Sequence, residues 1–89
     1  MEKTLNEYQN RILAEGIING GYLRIEVVYR LYSSEDSAKA SIMTLESWGF
    51  ISLTDTPGIF RVIKAPDSAW IIAENLKEAR KKAKEATKR

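Results

Sequence analysis

Histidine and cysteine are both absent from the 89 residues. That removes the commonest general base, the best thiol nucleophile and the usual transition-metal ligands. Carboxylates remain, but Glu35-Asp36 is the one adjacent pair. Following Ser33-Ser34, it is accounted for by a helix start, where acidic side chains face the positive end of the helix dipole. Gly20-Gly21 has no Walker-type lysine after it, so it reads as a helix terminator and not as a phosphate cradle. The sequence therefore predicts no enzyme, no cofactor and no metal. What remains is binding chemistry. Ser37, Lys39, Ala40, Met43, Thr44 and Ser47 offer hydroxyls, one ammonium and small apolar surfaces within one short segment. Arg24, Arg30, Arg61 and Lys64 are isolated cations able to hold a phosphate, and the chain ends in a lysine-rich run that includes Lys81 and Lys82.

These groups need elements to position them. Ile25, Val28 and Leu31 recur every three residues, which predicts a helix over Arg24–Tyr32 that breaks at Ser33-Ser34. A second helix follows, with Ala38, Ile42 and Leu45 inward and the polar set outward. Gly49 stops it. Phe50–Thr54 and Ile59–Lys64 are β-rich runs joined by Asp55-Thr56-Pro57-Gly58, with Pro and Gly suited to the two central turn positions. Within the second run, Arg61 alternates with Phe60 and Val62 and should face away from them.

This order, with Leu45-Glu46-Ser47-Trp48-Gly49-Phe50-Ile51 at the junction, resembles the winged helix-turn-helix of MarR-like and PadR-like DNA-binding regulators, and of small archaeal, plasmid or virus regulators. The resemblance covers roughly residues 4–64. It implies an α+β, mostly α fold: a winged helix-turn-helix domain over residues 1–64 and a C-terminal dimerisation helix over 65–89. It also implies that the helix after the double serine enters a major groove with Ser37, Lys39, Ala40, Met43, Thr44 and Ser47, while Arg24, Arg30, Arg61 and Lys64 hold backbone phosphates. The alternative for this face, and for Arg30, is plain solvation. The face has no arginine to fork onto guanine, which predicts modest selectivity, A·T-rich sites or reliance on DNA shape. The turn Asp55–Gly58 carries no cation, unlike wings that enter the minor groove.

Upstream, Thr4 and Glu7 have capping-box spacing, and Leu5, Tyr8, Ile12 and Leu13 predict a first helix to about Ile18, ended by Asn19-Gly20-Gly21. Gly16 inside it implies either close approach of another backbone, such as a partner's, or fraying. Tyr22-Leu23 reads as a short added strand. Tyr29 and Tyr32 offer hydroxyls to phosphates, but beside an apolar stripe they favour half-buried packing. Trp48 reads as core or as lying beneath the wing. Downstream, Pro66 marks a boundary, Asp67 or Ser68 caps a last helix over about Ala69–Ala86, and Ala69, Ile72, Leu76, Ala79, Ala83 and Ala86 follow heptad spacing. That seam is the candidate homodimer contact. Glu78 with Lys82, and Glu85 with Arg89, are set to pair at i, i+4.

Net charge is +2, but residues 74–89 carry seven basic and three acidic groups, so residues 1–73 are at −2. The basic end is open to three readings: a solvated face, a second phosphate contact through Lys81 and Lys82, or a membrane-surface helix, for which it lacks large apolar residues. A chain this short buries only ~60% of its unfolded surface, so dimerisation is an expected supplement. No spanning helix or secretory signal is visible, and the location expected is cytoplasmic and nucleoid-associated. Three functions fit. The first is a homodimeric, sequence-preferring double-stranded DNA-binding repressor. The second is a plasmid-partition or architectural protein that spreads along DNA, with a partition ATPase as the partner that reading implies. The third is a winged-helix protein-interaction module of the kind found in transcription complexes.

Overall fold

The computed structural model describes residues 5–87, with side chains to residue 84. The order is α1 (Glu7–Ile18), β1 (Tyr22–Arg24), α2 (Ile25–Leu31), α3 (Glu35–Ser47), β2 (Ile51–Leu53), β3 (Ile59–Val62) and α4 (Asp67–Thr87). It is an α+β arrangement, mostly helical, with one three-stranded antiparallel sheet in the order β1-β3-β2. The apolar periodicities account for the core. Ala38, Ile42 and Leu45 are buried along α3, Val28 on α2, Ile12 and Leu13 on α1, and Leu23, Ile51 and Phe60 on the sheet. Ile25, Leu31, Tyr29 and Trp48 pack on its margin.

Side chains and turns fix the ends of these elements. The Ser34 hydroxyl accepts the Ser37 N–H at 3.2 Å and caps α3. Replacing Ser34 by alanine is expected to cost about 1 kcal/mol of stability, read by urea denaturation, since that amide then loses its partner. In the β2–β3 connection the Ile59 N–H donates to the Thr56 carbonyl at 3.2 Å. Pro57 and Gly58, the latter at φ 78°, occupy the centre as the sequence requires. Arg24 makes no side-chain cap for α2; instead the Ile25 N–H donates to the Gly58 carbonyl at 2.9 Å.

Several expectations need correction. The first helix begins at Glu7, and its capping box is Asn6 with Gln9: the Asn6 side chain accepts the Gln9 N–H at 2.8 Å and the Gln9 side chain accepts the Asn6 N–H at 2.9 Å. Thr4 lies outside the described residues. Gly16 is buried within α1. A Cβ built there would sit 2.5 Å from Val62 Cγ2 and 3.5 Å from Leu23 Cβ, so the close approach is made by the chain's own sheet. Asp67 and Ser68 are inside α4. The Pro66 carbonyl accepts from Ala69 and Trp70, and the Ser68 hydroxyl donates to the Oδ1 of buried Asn10 on α1 at 2.9 Å. No ion pair forms between Glu78 and Lys82 among the described residues. Glu85 and Arg89 lie outside the described side chains.

The heptad seam divides. Ala69 is fully buried and Ile72 and Leu76 partly so, on the side of α4 that packs against α1, while Ala79 and Ala83 are exposed. Arg80 then ties α4 to α1 again, its Nη2 donating to both oxygens of Glu15 at 2.6 and 3.1 Å.

Candidate nucleic-acid interface

The outer face of α3 is built as its spacing requires. With Ala38, Ile42 and Leu45 turned inward, Ser37, Lys39, Ala40, Met43 and Ser47 are exposed and Thr44 is partly covered. Met43 is 67% exposed, far more than packing would leave a large apolar side chain. The hydroxyls are not idle. Thr44 donates to the Ala40 carbonyl at 2.9 Å and Ser47 to the Thr44 carbonyl at 3.0 Å, which leaves them as acceptors toward any ligand. Ser37 accepts from the Ser34 hydroxyl at 2.9 Å. Lys39 stands 4.0 Å from Glu35, an exposed i, i+4 pair too weak to hold it.

Charge is arranged unevenly along this helix. Glu35, Asp36 and Glu46 are exposed against one ammonium, Lys39, so the face is acidic, most strongly at its N-terminal end. Other cations lie on the segments before and after it. Lys64 lies at the C-terminal end of α3, its ammonium 5.0 Å from the centre of the Phe50 ring, and its Cε would be 4.0 Å from a Cβ at Gly49. Arg30 is exposed in the last turn of α2. Tyr32 is engaged within the fold: its hydroxyl shares a hydrogen bond with that of Ser41, and its ring lies tilted against Tyr8, the centroids 5.2 Å apart.

Arg24 and Arg61 are placed elsewhere. Strand register sets Tyr22 beside Arg61 and Arg24 beside Ile59, so alternation puts Tyr22, Arg24 and Arg61 on the sheet face opposite Leu23 and Phe60. All three are exposed. Lys81 and Lys82 are exposed on α4, and Lys81 lines an open hollow formed with the end of α1, to which α3 contributes nothing. Arg80 is the residue that sequence reasoning left out. Its pairing with Glu15 joins positions 65 apart, and no local pattern signals it.

Among the described residues no cluster of His, Cys, Asp or Glu could hold a metal ion, and no helix is long and apolar enough to cross a membrane. The chain has no significant match to a protein-family model, to a curated protein or to a solved structure.

Proposed function

We propose that this chain is a winged helix-turn-helix protein that binds double-stranded DNA as a homodimer, as a small transcriptional repressor does, with β2–β3 as the wing. The observation that carries the reading is the face of α3. It presents short side chains, Ala40, Thr44 and Ser47, around exposed Met43, with its apolar stripe buried behind. Such a surface lets a helix backbone come close to base edges and offers methyl contact to thymine. Glu35 and Asp36 repel phosphates, so the middle and C-terminal half of α3 enters the groove, with Lys64 and Arg30 on the flanking backbone. The homodimer uses the parts of α4 that α1 leaves open, around exposed Ile71 and Ala79.

Selection from a random duplex pool tests this. An enriched sequence is expected, and Lys39→Ala and Thr44→Ala should each weaken binding to it by about 1 kcal/mol, roughly fivefold, the worth of one hydrogen bond. Failure of any duplex to enrich over competitor would sink the reading. The acidic end of α3 favours a second one, a protein-interaction module that takes a basic partner. In that case the protein binds no duplex even at low salt. A third, side-by-side loading on DNA as in partition or architectural proteins, is favoured by cations remote from α3, and footprints that spread with concentration would mark it.

A further inference from the structure

The cations that α3 lacks are gathered on a different side of the molecule. Arg61 and Arg24 share the outer face of the sheet with Tyr22 between them in the ladder. Tyr22 and Arg24 line a surface hollow together with Asn19, Glu15 and Arg80. Arg80 in turn lines the next hollow with Ile18, Lys77, Lys81 and Lys84. Each step shares a residue with the one before, so the six basic side chains form one continuous strip. Among the described residues that line the two hollows, two are carboxylates: Glu15, already paired with Arg80 and with a side chain only 11% exposed, and Glu78. Lys77, Lys81 and Lys84 lie at i, i+4 and i+7 on one stripe of α4, while Lys82 lies a further 100° round and lines neither hollow.

Folding does not explain this arrangement. Neither Arg24 nor Arg61 has an ion-pair partner among the described residues, and they sit as diagonal neighbours across two strands, where like charges repel. Their separation from the acidic α3 face suits a ligand whose charge repeats along a line.

We infer that the strip from Arg61 and Arg24 through Arg80 to Lys77 and Lys81 holds the phosphate backbone of duplex DNA without reading its sequence, as a second contact surface apart from α3. This rests on the DNA-binding reading above and adds a site to it. With α3 in a groove and the strip on a backbone, one protomer touches duplex on two sides, which lets it bridge neighbouring segments.

The test uses the full chain and a 20-base-pair duplex of random sequence, with fluorescence anisotropy over a range of salt concentrations. Each phosphate contact contributes about −0.9 to the slope of log affinity against log salt. The variant Arg61→Gln/Lys77→Gln/Lys81→Gln should therefore flatten the slope by about 2–3 and weaken low-salt binding at least tenfold. Lys39→Ala/Thr44→Ala should leave this slope nearly intact while removing preference for the selected sequence. Arg24 and Arg80 are kept, since one begins α2 and the other holds Glu15. An unchanged slope in the triple variant, with the native protein still binding duplex, overturns the strip and leaves the α3 reading standing. If Lys82→Gln flattens the slope as much as Lys81→Gln, the tail acts through its summed charge, which also overturns it. If the native protein binds no duplex, the DNA reading itself fails. If polyglutamate binds as tightly as the duplex and with the same salt slope, the strip belongs to an acidic protein and the inference is lost.

Discussion

Replacing Gly16 by alanine is expected to destabilise the protein by about 1–3 kcal/mol, the usual penalty for forcing an extra methyl into a packed site. The direction is opposite to helix propensity, which favours alanine over glycine by up to about 1 kcal/mol. Packing wins because the new Cβ would stand 2.5 Å from Val62 Cγ2, closer than two carbons can approach, and β3 is held in place on both edges by β1 and β2. Relief requires either a new Val62 rotamer or movement of α1 away from the sheet. Chemical denaturation followed by circular dichroism gives the measurement. Val62→Ala in the same chain should recover most of the loss, so the double variant is more stable than the two separate effects add up to. A Gly16→Ala protein more stable than the native one would mean that α1 frays there and that the sheet does not press on it.

Leu45→Ala should cost more, about 2–5 kcal/mol. Leu45 is fully buried at the inner end of the α3 stripe, and its carbonyl accepts the Phe50 N–H at 3.0 Å where the chain leaves the helix for β2. The cavity therefore opens at the joint between α3 and the hairpin, and binding to the selected duplex should fall together with stability. Met43→Ala is the counterpart. With that side chain 67% exposed, stability should move by less than about 0.5 kcal/mol while duplex binding weakens. If Met43→Ala instead destabilises as Leu45→Ala does, α3 has been turned the wrong way round.

Helix periodicity and turn chemistry made much of this fold legible. The spacing of Ala38, Ile42 and Leu45 oriented α3, Pro57-Gly58 located the turn, and Tyr22-Leu23 announced the third strand. Local patterns gave out wherever two registers satisfied the same template. Thr4 to Glu7 and Asn6 to Gln9 both have cap spacing, and nothing in the string chooses between them. They gave out again wherever a partner was distant in sequence. A heptad seam says that something covers Ala69, Ile72 and Leu76, but not that the cover is α1 of the same chain. Gly16 signalled a close approach and left its source open between another subunit and this one. At the candidate site, the outward set on α3 was readable from period alone. The separation of Arg24 and Arg61 from that face was not, because it follows from the pairing of β1 with β3 across nearly forty residues.

The hydrogen bond from the Ile25 N–H to the Gly58 carbonyl makes the loop of the hairpin the lid on the first turn of α2. Swinging that loop aside would expose an amide that has no local substitute, so the two segments must loosen as one cooperative unit. Hydrogen–deuterium exchange at Ile25 would then report, from the opposite end of the bond, whether anything has taken hold of the hairpin.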